Sequence, residues 1–195
     1  MEFPQDKYDI IYADPSWAYY KASHTFSGNR RTSGAITHYP TMNLDELKRL
    51  PVSSICEKNC LLFMWTTSPQ MKRAIELGEA WGFQYVTVAF VWDKSIPVVG
   101  HYTMSTVEYV LLFKRGTIPK NRGTRNERQF LSQKKTRHSE KPSEIRDRIT
   151  RMFPTHKKIE LFARQRVDGW SCWGNDPNIM EDQTSVTVDI KNIMR

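Results

Sequence analysis

Apolar residues fall into short runs along this chain, separated by polar stretches and by segments with helical spacing. Tyr8-Asp9-Ile10-Ile11-Tyr12-Ala13 is β-branched and aromatic and reads as a buried strand. It stops at Asp14-Pro15, because proline cannot continue a central strand. Asn43 is a good helix N-cap, with Glu46 three residues on and Leu44, Leu47 and Leu50 at helical spacing; Pro51 ends that helix. Cys60 to Trp65 predicts a second buried strand. Ser68-Pro69 starts a helix running to about Trp81, closed by Gly82. Gln84 to Trp92 and Val107 to Lys114 predict a third and a fourth strand. Pro142 fits the first turn of a helix through Arg151, with Ile145 and Ile149 on one face, and Lys157 to Arg164 follows as a strand. Ser185 to Ile190 alternates and predicts a short edge strand. Strands alternating with helices indicate an α/β fold, a parallel-rich sheet with crossover helices.

Two stretches lack periodicity. Tyr19 to Pro40 is a long loop directly after the first strand, and long loops in compact domains are functional or disordered. Lys114 to Lys141 is rich in Lys and Arg scattered among Gly, Asn, Thr and Gln, a solvated loop or a path for phosphates. At 195 residues the chain suits one domain, 1–195, with a tail, 176–195, of unknown role. Lys+Arg of 29 against Asp+Glu of 21 gives +8, which favours a polyanionic partner. The three cysteines, Cys56, Cys60 and Cys172, predict reduced thiols and neither a disulfide framework nor a zinc site. With no signal peptide and no span of about 20 apolar residues, a cytosolic or nuclear protein is expected.

Asp14 and Trp17 follow a predicted strand, and in open α/β sheets ligands bind at the carboxyl ends of strands. The chemistry there suits a planar amine. The exocyclic nitrogen of a base is a poor nucleophile because its lone pair is delocalised into the ring. Two acceptors, the Asp14 carboxylate and the Pro15 carbonyl, would draw it towards a tetrahedral shape. The Trp17 ring offers a face on which a flipped base stacks, worth roughly 1–3 kcal/mol.

Asp14-Pro15-Ser16-Trp17 resembles the Asp-Pro-Pro-Trp signature of S-adenosylmethionine-dependent amino-methyltransferases, with Ser16 in place of the second proline. Further similarity lies in Leu62 to Thr67, in Phe90 to Lys94, at Glu108, at Lys141-Pro142-Ser143-Glu144, in Lys158 to Arg164 and in Trp170 to Asn175. These motifs come in order and cover Tyr8 to Asn175. They are similar to the branch holding the eukaryotic mRNA N6-adenosine methyltransferase catalytic subunit and its bacterial and phage relatives.

The resemblance implies a Rossmann-like methyltransferase sheet with helices on both faces and a permuted motif order. S-adenosylmethionine is the implied cofactor, with Lys141 on its carboxylate, Arg164 on its ribose and Asn175 on its adenosine portion. Arg166 and Asp176 stand where the eukaryotic enzyme has other residues, so their cofactor contacts differ. Asp14, Pro15, Ser16 and Trp17 form the implied catalytic set. Tyr39, Trp65, Lys94 and Glu108 are implied at the substrate, joined on charge alone by Lys134, Lys135 and Arg137. Trp65, Trp92 and Glu108 also fit as core or as ion-pair members. The implied reaction is methylation of adenine N6 in DNA by a bacterial or phage enzyme of the cytoplasm, in a homodimer or heterodimer. RNA is the alternative substrate, and a non-catalytic nucleic-acid-binding subunit the alternative role.

Overall fold

The computed structural model describes residues 2–17, 42–99, 102–134 and 140–174. In chain order its elements are β1 (Tyr8–Ala13), α1 (Leu44–Arg49), β2 (Cys56–Thr66), α2 (Met71–Ala80), β3 (Gln84–Val99), β4 (Met104–Arg115), β5 (Phe130–Ser132), α3 (Ser143–Met152), β6 (Lys158–Leu161) and β7 (Ser171–Trp173). The strands form one seven-stranded sheet in the order β5-β3-β4-β2-β1-β6-β7. β1 pairs parallel with β2 and β6, β6 with β7, and β3 with β5, while β4 is antiparallel to both β2 and β3. Every strand but β4 therefore runs in one direction.

Strand alternation divides the core into two layers. Ile11, Ala13, Leu62, Met64, Leu111 and Phe113 meet Leu47 of α1 and Ala74 and Leu77 of α2 on one face. Ile10, Tyr12, Phe63, Trp65, Phe90 and Val110 meet Ile145 and Ile149 of α3 on the other. Helices thus cover both faces of an α/β sheet, as expected. The α1 capping box forms: the Asn43 side chain accepts from Glu46 N–H at 2.9 Å, and Glu46 accepts from Asn43 N–H at 2.7 Å. A 3₁₀ turn, Ser68–Gln70, precedes α2, and Gly82 takes the left-handed conformation (φ 86°) after it.

The structure departs from the periodicity reading in several places, beginning with β3, which runs on past Trp92 to Val99, and β4, which starts at Met104 and not at Val107. No helix separates β3 from β4, so β4 returns as a hairpin. β5 lies inside the basic stretch read as irregular, and three residues are too few to show alternation. It is extended because it pairs with β3, where Gln129 Nε2 donates to Val88 O and Trp92 Nε1 to Gln133 O. β7 is also three residues long and is held by β6. β6 ends at Leu161 and not at Arg164, because Phe162 adopts a positive φ of 61° and turns the chain out of the sheet.

The basic stretch is fastened to α3. Arg148 donates to Arg128 O and Phe130 O, Arg151 grips Glu127, and Arg122 lies over the Phe153 ring. Arg115 donates to Ser53 O. Arg115 and Arg122 are therefore spent on the fold, whereas Lys120, Arg125 and Lys134 are exposed. All three cysteines are free thiols, Cys56 and Cys60 buried and Cys172 half-buried. The loop 19–40 and the tail strand lie outside the described residues, as do Tyr39, Lys135, Arg137, Asn175 and Asp176.

Candidate active site

Asp14 is the first residue beyond β1, at the carboxyl edge of the sheet. Trp65 lies near the end of β2 at the same edge. β4 runs the other way, so its early residues arrive there as well: Trp92 of β3 pairs with Glu108, and Thr66 of β2 with Tyr109. Lys141, two residues before α3, completes the cluster. Its Nζ is 3.1 Å from Asp14 Oδ1 and 3.3 Å from Glu108 Oε2, and Lys94 Nζ is 3.2 Å from Glu108 Oε1. Two carboxylates and two ammoniums thus interleave in a partly desolvated patch, close to neutral as a whole.

Burial alone would push Lys141 down, but the carboxylates of Asp14 and Glu108 outweigh it and hold the ammonium above its ordinary value. Burial pushes Glu108 up, and Lys141 and Lys94 outweigh that and hold it below the usual carboxylate range. A lowered carboxylate adds stability above its unfolded value, about 4.3, that is lost as pH falls through the folded one. The stability difference between wild type and Glu108→Gln is therefore expected to stay flat near neutrality and to shrink below about pH 4. Thermal melts across pH check this; a difference that does not shrink in acid would count against an ionised Glu108.

Beneath the ammonium lies an aromatic floor. Lys141 Nζ sits 5.4 Å from the Trp65 ring centroid, a cation–π distance. Trp65 Nε1 donates to the buried Tyr12 hydroxyl, and Tyr12 meets Trp65 and Trp170 edge-on. Trp65 is 1% exposed and Trp92 2%, so both belong to the core. Trp65 reaches the site through Lys141 and offers no open face to a base.

Trp17 departs from its expected role in the same way. Its ring is 8% exposed and packs in the layer that holds Leu47 and Leu77, so it presents no open stacking face. The physical reason is its size: burying so large an apolar ring stabilises the fold more than leaving it at an edge. The backbone around it is fixed by Trp17 N–H donating to Pro15 O at 2.8 Å and Met42 N–H to Ser16 O at 3.1 Å. Pro15 O thus has one lone pair engaged and one left to accept.

At the neighbouring strand ends, Ala163 N–H donates to Trp173 O at 3.0 Å. A Cβ on Gly174 would lie 2.2 Å from Ala163 O, so only glycine permits this approach. Arg164 follows directly and is half-buried. Arg166 is exposed and lines, with Asp168, Gly169 and Cys172, a cavity of about 450 Å³. Lys94 joins the cluster as described, whereas Lys134 lies on the exposed segment after β5.

Periodicity passed over one pair. Arg146 of α3 donates to Glu160 of β6 at 2.8 Å, both side chains nearly buried. Burial pushes the Glu160 carboxyl up against the opposing pull of Arg146. The available signal was a carboxylate inside an apolar strand together with an arginine beside the core residue Ile145.

The MT-A70 family profile matches residues 8–176. The Type II methyltransferase M.MunI of a Mycoplasma species is 50% identical over 184 residues, covering 89% of this chain and 79% of that protein. The N(6)-adenosine-methyltransferase MT-A70-like protein of Arabidopsis thaliana is 27% identical over 181 residues, 88% of this chain and 24% of that one. The N(6)-adenosine-methyltransferase catalytic subunit METTL3 of Homo sapiens is 26% identical over 181 residues, 87% and 28%. The chain spans about a quarter of the length of these eukaryotic relatives.

Proposed function

The chain belongs to the MT-A70 family, and we propose on that premise that it moves a methyl group from S-adenosylmethionine to the N6 amine of adenine in DNA. The observation that carries the reading is Asp14 at a strand end, its carboxylate held by an ammonium that Glu108 anchors from behind. That arrangement suits binding a weakly nucleophilic amine through its hydrogens.

S-adenosylmethionine, when bound, supplies an electrophilic methyl on a sulfonium. The residues present fit it. An ammonium has three donors, and two of those on Lys141 are taken by Asp14 and Glu108, which leaves one for the cofactor carboxylate. Arg164 follows the close backbone approach of Gly174 to Ala163 and is assigned to the ribose by resemblance, and Arg166 borders the neighbouring cavity. Asn175 and Asp176 are assigned here by resemblance alone.

On the substrate side, an Asp14 oxygen and the second lone pair of Pro15 O accept from the two N6 hydrogens. This localises the nitrogen lone pair toward the methyl. Ser16 and Trp17 hold that backbone in place, and Tyr39 is assigned to the substrate by resemblance alone. Lys141, 3.1 Å from Asp14 Oδ1, holds that carboxylate in place, and the proton the amine sheds passes to Asp14 or to water. In-line transfer then needs positioning more than a strong base. Lys94 orients Glu108, and Lys134, Lys135 and Arg137 contact phosphates.

DNA is favoured over RNA because the similarity to the Type II methyltransferase is much stronger than that to the N6-adenosine enzymes. A charge of +8 suits either polyanion. We read 1–195 as one catalytic unit of the cytoplasm; no helix among the described residues is long and apolar enough to cross a membrane. Methyl transfer from labelled cofactor onto duplex DNA, single-stranded DNA and RNA, followed by nucleoside identification, tests the reading. N6-methyldeoxyadenosine from duplex DNA is expected. Product from RNA alone would reassign the substrate, and none from any nucleic acid would leave a non-catalytic subunit.

A further inference from the structure

β3 and β4 continue past the sheet they belong to. β5 accompanies β3 only over Val91 to Asp93, and β2 accompanies β4 only from Tyr109 onward. Beyond those points the two strands pair, among the described residues, with each other alone, at Val98 with Ser105 and Val99 with Met104. From Glu108 to Met104 the arm rises about 13 Å, four residues at about 3.3 Å each. Its foot is the Lys94–Glu108 pair of the site. Asp93 braces it, accepting from Ser95 N–H at 2.9 Å and from the Ser132 hydroxyl at 3.2 Å.

The arm carries apolar side chains that are exposed among the described residues. Val99 is 82% exposed, Met104 55% and Tyr102 fully exposed, with Ile96 and Val98 below them. Such a patch on a folded protein marks a contact surface. Two features disfavour another protein strand adding to it. β3 is bulged between Asp93 and Val98, and Pro97 removes a donor from its edge. Three features favour a nucleic-acid duplex. A two-stranded ribbon fits the major groove. No carboxylate lies between Asp93 and Glu108 on a chain of charge +8. And the foot of the arm, Lys94 and Glu108, is joined through Lys141 to Asp14, the proposed amine site, to which a paired adenine must be swung before its N6 can react.

We infer that this arm is a duplex-opening wedge: it enters the groove next to the target, and Val99, Tyr102 and Met104 occupy the stack that the flipped adenine leaves. Apolar side chains inserted at a base step stabilise an unstacked duplex, and an aromatic ring replaces the lost stacking. The inference rests on the proposed action at adenine N6, and it names duplex, not single-stranded, nucleic acid as the substrate on which the arm acts.

The test compares wild type with the double variant Val99→Ser/Tyr102→Ala, both exposed positions, on three substrates: a paired duplex, the same duplex with the target adenine unpaired, and a single strand. The variant is expected to lose roughly 5- to 150-fold in kcat/KM on the paired duplex and nothing measurable on the other two. With 2-aminopurine at the target of the paired duplex, the fluorescence rise on binding wild type should be lost in the variant. Unchanged activity on the paired duplex overturns the inference, as does an equal loss on all three substrates. An equal loss accompanied by a changed sedimentation coefficient would make the arm a protein interface instead. If wild type methylates nothing, the proposed activity fails, and the fluorescence then decides separately: a rise that needs the arm upholds the wedge, and no rise overturns it.

Discussion

Asp14→Ala is expected to lower the rate of methyl transfer by roughly 100- to 1,000-fold or more, the loss that follows removal of a preorganised polar group at the reacting centre. The fold should persist, because Lys141 keeps Glu108 at 3.3 Å and so is not left as an unpaired buried charge. Affinity for S-adenosylmethionine should be nearly unchanged, since Asp14 is assigned to the amine and the third donor of Lys141 to the cofactor. Lys141→Met should behave differently. It removes the assigned partner of the cofactor and leaves Asp14 and Glu108 without the cation between them, so both affinity and rate should fall. Single-turnover transfer of a labelled methyl group and calorimetry of cofactor binding separate the two variants. Substantial turnover by a folded Asp14→Ala protein would sink the assignment of the amine site. Unchanged cofactor affinity in Lys141→Met would remove Lys141 from the cofactor.

Arg146→Met should cost about 3–5 kcal/mol of stability, because it strands Glu160 as an unpaired carboxylate between α3 and β6. For a chain of this size that corresponds to a fall in Tm of roughly 6–20 °C. The sign of its pH dependence follows from burial. Glu160 is already held above the usual carboxylate range, and without the guanidinium it rises further. A raised carboxyl favours the folded state when protonated, so the deficit should be largest near neutrality and shrink as the pH is lowered. Pairing Arg146→Met with Glu160→Leu should recover most of the loss, since two apolar groups leave no charge to compensate. Melts of the two single variants and the double variant check both points. A double variant no more stable than Arg146→Met would mean that the arginine acts by packing and not by neutralising Glu160.

Much of the architecture was legible because it is written in short-range patterns. The alternation of Ile10 and Tyr12 against Ile11 and Ala13 announced a strand buried on both faces, and the two core layers divide along that alternation. The capping residues Asn43 and Glu46 marked the start of α1 to the residue. β5 and β7 were not legible. Three residues cannot display a period, and each is extended by the strand beside it. The Trp17 ring reads in sequence as a surface for a base, and the resemblance puts Trp65 at the substrate with the core as its alternative. Burial depends on what the rest of the chain lays over a ring, and it made both of them core.

The sequence by itself determined where the strands and helices lie, that Asp14-Pro15 closes a buried strand at a sheet edge, and which family the motifs resemble. Each of these depends on residues close together in the chain. Tertiary structure alone decided that β4 runs against its neighbours. That reversal carries Glu108 to the edge where β1 and β2 end, and there Lys141, arriving from far along the chain, finds both it and Asp14. Strand direction is set by hairpin closure and by pairing across the sheet. An ion pair among distant residues is set by which charges are desolvated together. Neither quantity has a local signature, so the chemistry of Asp14 could be read from its neighbours in sequence, while the groups that hold its charge could be found only in space.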